Sequence, residues 1–294
     1  MCGEWARRSR RIRGHFLKVS LLGLPIAAKN RRLKILGTSA ALMSLAALLT
    51  LTVARADSVE GDHVRISFHG WIGPTLLPRS RPAPVSLHVA GAVRPVGGER
   101  PAALRRLTIQ VNRHARFTIR GLPRCAPVRL RGTSTREALA SCGKALIGSG
   151  HFSSHIDIPE QAPFPARGRV LAFNTTREGD PAVAIHVFGR KPASTSTVLG
   201  AVLARGGPGG GSFGPRLTIE MPRIGEDWGY VNGFDLTLQR RYRYRGRKLS
   251  VVRATCPAPV DVNEVPFKAA RGSFYLADGQ ALTRTVSGSC RASG

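Results

Sequence analysis

Between residues 57 and 294, short runs that alternate apolar with polar residues, or cluster β-branched ones, recur between Gly, Pro and Asn. They fall at 64–69, 85–89, 107–111, 116–119, 152–158, 170–173 and 183–187. The series continues at 217–221, 234–244, 249–254, 274–276 and 282–286, with Asp278-Gly279 as a tight-turn signal. A period of two puts one face of each run on a core, so the pattern predicts an all-β, sandwich-like chain. One helix interrupts it. Ser134 and Glu137 have capping-box spacing, Leu139, Cys142 and Leu146 fall on one face, and Gly148 stands where a terminating glycine belongs.

The stretch 35–54 carries no charge, follows Arg31, Arg32 and Lys34, and ends at Ala54-Arg55-Ala56, the small-x-small pattern of a signal-peptidase site. Residues 1–56 are therefore read as an export signal, and the chain is expected to be secreted or held at the cell surface. Its Gly, Ser and Thr content makes it a mediocre membrane span, so cleavage is favoured over an anchor. An uncleaved signal would be the chain's only contact with a membrane.

The remaining residues contain an approximate repeat in preserved order. Segments 66–69, 85–89 and 106–109 resemble 171–174, 183–187 and 216–219. Cys125-Ala126-Pro127 resembles Cys256-Pro257-Ala258, and Lys144-Ala145 resembles Lys268-Ala269. This predicts two tandem sandwich-like units, 57–160 and 161–294, joined near Pro159, Pro163 and Pro165. The length allows about 70–75% of the unfolded surface to be buried.

Charge narrows the partners. The chain has 45 basic and 17 acidic residues; eleven and one of these lie in 1–56, leaving 34 and 16 beyond it, a surplus of 18. Polycationic ligands are excluded and anionic ones favoured. Thirty of the 34 cations are Arg, whose fork suits phosphate and sulfate, although GC-rich codon usage gives the same skew. Beyond the signal the cysteines are Cys125, Cys142, Cys256 and Cys290, an even number suited to an oxidising compartment. Three pairings are open. Cys125 with Cys142 and Cys256 with Cys290 is expected, because it keeps each bridge within one half. No C-x-x-C or C-x-x-H spacing supports a metal, and no motif implies a cofactor.

Four constellations bear on chemistry. Gly210 to Gly214 satisfies G-x-S-x-G, but a strand rather than a helix follows, so a hairpin connection is the better reading. His151, His155 and Asp157 alternate with apolar residues as a strand does, which separates the two His by about 13 Å and disfavours a shared zinc. Glu226-Asp227 beside Trp228 and Tyr230 is the one acidic pair flanked by aromatic rings, and would carry a polysaccharide hydrolase if there were one. Asn174-Thr175-Thr176 is a glycosylation sequon by pattern.

The strongest candidate surface is 239–248. If 234–245 is one strand, Arg241, Arg243 and Arg245 share an outward face, with Arg247 and Lys248 extending the row. Alternate residues stand about 6.6–6.8 Å apart, a spacing able to meet successive phosphates of an anionic polymer. A solvated, edge-protecting arginine face is the competing account.

Phe68 to Trp71, Arg116 to Cys125, Trp228 to Gly233, Arg240 to Gly246, Cys256-Pro257-Ala258-Pro259 and Ser289-Cys290-Arg291 together resemble a group of exported proteins of soil actinobacteria. That resemblance covers most of the chain after the signal and implies no activity, substrate or cofactor. Phe117 to Pro123 also looks like the short strand-turn of transthyretin-like sandwich domains. The expectation is an exported, non-enzymatic β protein of the cell envelope that binds anionic cell-wall polymer through Arg241, Arg243, Arg245, Arg247 and Lys248, with no specific nucleic acid as partner. A polysaccharide-active hydrolase and an adhesion or structural module are the alternatives.

Overall fold

The computed structural model describes residues 57–191, 194–206, 211–223 and 228–293. Residues 1–56, read above as an export signal, and the Glu226-Asp227 pair lie outside them, as does Gly210. The first half supplies strands β1 (Asp57–Glu60), β2 (Val64–Gly73), β3 (Leu76–Pro78), β4 (Ala83–Pro84), β5 (Ser86–Pro95), β6 (Leu104–Asn112), β7 (Ala115–Phe117) and β8 (Leu146–Ile156). Helix α1 (Thr135–Cys142) falls between β7 and β8. The second half adds β9 (Phe164–Arg177), β10 (Asp180–Lys191), β11 (Thr195–Ala204), β12 (Phe213–Glu220), β13 (Gly229–Leu238), β14 (Arg241–Tyr244), β15 (Arg247–Ser250), β16 (Val252–Ala254), β17 (Glu264–Leu276) and β18 (Ala281–Ser293). The chain is thus all-β with one short helix, as its periodicity predicts.

Thirteen strands form one sheet, in the order β1-β2-β5-β13-β8-β9-β10-β11-β12-β6-β17-β18-β3. Every neighbouring pair is antiparallel except β18 with β3. The sheet curls until β18 lies against β1 and β2 at its other edge. Phe68 of β2 there meets Phe274 of β17 edge-on, with ring centroids 5.8 Å apart. Alternation decides what enters the curl. In β5, Leu87, Val89 and Val93 are buried while His88, Ala90 and Ala92 between them are only partly covered. Burying a side chain as large as Phe68 or Phe274 contributes about 2–3 kcal/mol, so this inner face dominates the stability.

The two units expected at 57–160 and 161–294 share this sheet. Strand β8 lies between β13 and β9, and β6 between β12 and β17, so both take their hydrogen-bonding neighbours from the other half. The repeated segments fall on β2 and β9, β5 and β10, and β6 and β12. The last two pair with each other, Thr108 opposite Thr218. Registers differ between the other copies: Phe68 faces Gly91, whereas its counterpart Phe173 faces Ala184.

Strands β9 and β10 are also covered on their outer face. Leu171, Phe173 and Ala184 pack there against Leu130, Ala138, Cys142 and Ala145, forming a small second core under the helix. The capping box is present: the Glu137 amide donates to Ser134 Oγ at 3.3 Å, and the Ser134 amide donates to the Glu137 carboxylate at 2.8 Å. Those hydrogen bonds to Ser134, the backbone one foremost, hold the Glu137 carboxyl below its ordinary pKa. The helix ends earlier than its sequence suggests. Gly143 caps it, donating to the Leu139 carbonyl, and Ala138 and Cys142 are the buried positions while Leu139 is exposed. Gly148 is no helix terminator; it lies in β8 against the Thr237 carbonyl and the Leu238 side chain, where a Cβ would collide with both.

Disulfides join Cys125 to Cys142 and Cys256 to Cys290, with Cα atoms 5.6 and 5.8 Å apart. The first ties α1 to the loop beneath it. The second ties β18 to the segment after β16. Among the described residues no helix is long and apolar enough to cross a membrane.

Candidate arginine-lined cleft

The strand expected over 234–245 is two strands. After β13 the Gln239 amide turns to the Ile147 carbonyl, at 3.2 Å, and the chain leaves the large sheet. Strands β14 and β15 then form a separate hairpin whose turn carries Arg245 and Gly246 at φ 49° and 73°. Arg243 stands opposite Lys248 and Arg241 opposite Ser250. Arg241, Arg243 and Lys248 therefore share one face. Arg245 instead sits in the turn, its guanidinium 5.4 Å from the Tyr244 ring centroid, and Arg247 pairs opposite Tyr244, on the other face.

That other face packs on the segment 118–122. The Tyr242 hydroxyl donates to the carbonyls of Thr118 and Arg120. Gly121, at φ 82°, lies under the Tyr244 ring, which leaves no room for a side chain there. The hairpin cations thus stand beside a second cationic feature that spacing alone does not reveal. It is a cleft of about 970 Å³ lined by Arg113, Arg116, Arg120, Arg124 and Arg205. All five are exposed, and among the described residues no Asp or Glu lines it. Among the described residues none of the five forms an ion pair. The floor is apolar, with Ala115, Leu122 and Phe213.

The cleft is held open from below by Asn174. Its side-chain amide donates to the Leu122 and Pro123 carbonyls at 3.2 and 2.9 Å, and its backbone carbonyl accepts from the Cys125 amide at 2.9 Å. The residue is 1% exposed, which removes the sequon from any glycosylating enzyme's reach. Its Oδ1 is buried with no hydrogen-bond partner and lies among the lining residues. Next to Arg113, burial holds the His114 imidazole below its usual pKa, and the Arg113 charge adds to that effect.

The remaining candidates, and the two histidines His88 and His186 on β5 and β10, are structurally engaged. His151 accepts from Arg169 at 2.8 Å and lies 3.3 Å from Asp235, while His155 stacks on Tyr230 at 5.4 Å. Asp157 lies 3.7 Å from Arg100. His88 is hydrogen-bonded to Thr237 Oγ1 at 2.9 Å and stacks on Trp71. His186, fully buried, donates from Nε2 to the Thr133 carbonyl at 2.9 Å and so pins the loop before α1 to β10. Among the described residues no group of three His, Cys, Asp or Glu could hold a metal ion. In the G-x-S-x-G pattern Ser212 directly precedes β12, which begins at Phe213 and includes Gly214, so a strand follows the serine.

Comparison with protein-family models, with curated proteins and with solved structures found no match.

Proposed function

We propose that the chain is an exported, non-enzymatic β protein of the cell envelope that holds anionic polymers in the arginine-lined cleft. The observation that carries this reading is the lining itself: five exposed guanidinium groups and, among the described residues, no carboxylate around about 970 Å³. Like charges brought together this way repel one another, and a polyanion relieves that repulsion. Arginine forks bind phosphate bidentately, so the polymer class favoured is one of repeated phosphates, such as teichoic acid or polyphosphate. Arg241, Arg243 and Lys248 add charge on the face of the adjoining hairpin turned away from the cleft, while Arg245 sits in its turn and Arg247 on the face toward the 118–122 segment. Export is supported by the uncharged segment 35–54 with its Ala54-Arg55-Ala56 end, and by two disulfides, which belong to oxidising compartments.

Polyphosphate binding followed across a salt series tests this. Affinity is expected to fall steeply with ionic strength, and Arg116→Gln with Arg120→Gln and Arg124→Gln to flatten the salt slope by roughly the number of phosphates released. Binding that ignores salt, or that survives the triple substitution unchanged, defeats the reading.

A further inference from the structure

At the opposite end of the curled sheet the interior is not filled. A cavity of about 600 Å³ opens among strands β5, β6 and β8 to β13. It uses the first residues of β9 and β11 and the last of β10 and β12, whereas the arginine cleft uses the other ends of the same strands. From Val170 at the cavity to Asn174 at the cleft is four residues of strand, about 13 Å, and no residue lines both. The two sites are separate.

The cavity wall is almost wholly apolar. Phe152, Ile156, Phe164, Val187, Leu199 and Phe234 line it and are only partly buried. Protein interiors pack as densely as organic crystals, and leaving this much apolar surface facing water forgoes about 25 cal/mol for each Å² not covered. A volume of this size falls in the roughly 300–1,000 Å³ range of small-molecule sites. The wall's polar groups are few, Ser154, Thr195 and Thr197 among them. Asp235 turns its carboxylate to His151, 3.3 Å away. Lys191 and Arg223 stand exposed among the lining residues, at the end of β10 and just after β12. The wall thus offers an apolar body next to two cations.

We propose that this cavity binds a single-chain amphiphile, with its hydrocarbon inside the sheet and an anionic head at Lys191 and Arg223. A long-chain carboxylate has that chemistry. The occupant is a small molecule: the wall is concave and built from eight strands of the same sheet, which suits a chain of methylenes better than a protein surface.

Titration of the purified full-length chain with cis-parinarate, a fluorescent long-chain carboxylate, tests the assignment. Saturable fluorescence enhancement, reversed by palmitate, is expected. Leu199→Trp, which fills the cavity, should weaken binding about tenfold or more. Ala166→Leu, nearer the start of β9, should do the same to a lesser degree and guards against misfolding of the first variant. Exchanging both exposed cations, Lys191→Gln with Arg223→Gln, should weaken the carboxylate about fivefold and leave the matching long-chain alcohol unchanged. The arginine-cleft triple variant should bind the probe as the parent does, which keeps this result distinct from that of polymer binding. Absence of saturable binding overturns the proposal. So does undiminished affinity in both cavity variants, which would place the probe elsewhere, or equal loss of carboxylate and alcohol in the double cation variant.

Discussion

The hydroxyl of Tyr242 donates to the carbonyl oxygen of Arg120 at 2.9 Å and to that of Thr118 at 3.1 Å, across more than 120 residues of sequence. One side chain thereby joins the cationic hairpin to the cationic cleft. Burial raises the pKa of its phenol, an effect the Arg253 charge partly offsets, so the group stays a hydrogen-bond donor throughout the neutral range.

Tyr242→Phe keeps the ring and removes both hydrogen bonds. The expected loss is about 1 kcal/mol, since the part-buried Thr118 carbonyl and the exposed Arg120 carbonyl lose the one proton they share. Urea unfolding measures it. Polyphosphate affinity should fall as well, because Arg120 would no longer be held by its own backbone, whereas the salt slope should stay as it is. An unchanged midpoint would mean that water replaces the hydroxyl at no cost.

The Cys125–Cys142 bridge holds α1 over the outer face of β9 and β10. Replacing both cysteines by Ser should destabilise the protein by about 3 kcal/mol, as closure of a loop this size predicts. The damage should be local. Amide exchange is expected to rise first over 127–142, with β2 and β17 remaining protected, and uniform loss of protection would show that the small outer core is not an independent layer.

His186 is the polar tie of that layer. His186→Leu preserves apolar volume against the sheet but orphans the Thr133 carbonyl, at an expected cost of about 1–3 kcal/mol. A melting temperature at or above the parent's would show the imidazole to be a burden of the fold, not a support.

Acid should weaken the fold through His114. Its pKa is lowered in the folded chain from the usual 6.5, by burial first and by Arg113 second. The unfolded chain therefore binds the proton more readily, so stability is full above about pH 6.5, falls as pH drops below it, and levels off under the folded value. His114→Gln should flatten that portion of the pH–stability curve. A curve of identical slope in the variant would assign the acid sensitivity elsewhere.

Alternation made most of the sheet legible, because Leu87, Val89 and Val93 in β5, like Val183 and Ile185 in β10, face a core whatever their neighbours are. It also carried the reading past a corner. Tyr242 and Tyr244 continue the period of Leu236 and Leu238, so nothing local distinguishes one strand from two; the break is imposed from outside, where the Gln239 amide meets Ile147. The cleft was hidden for a related reason. Its arginines come from 113–124 and 205, and only the folded sheet brings them together, though the four-residue spacing of Arg116, Arg120 and Arg124 was there to be noticed. The cavity left no mark at all, since Phe152, Phe164 and Phe234 have the composition of ordinary core residues.

The sheet order has a consequence for biogenesis. Strands β1, β2 and β5 pair locally, but β6 is flanked by β12 and β17 and β2 is met across the curl by β18, so the inner face of the first half stays uncovered until strands more than a hundred residues downstream arrive. Such distant pairing makes for slow, late assembly. A polypeptide threaded through a translocation pore amino end first would emerge with its oily stripes uncovered until the final thirty residues cleared the channel, and would need a holding factor, or the ribosome's own pace, to keep copies from sticking together in the interval.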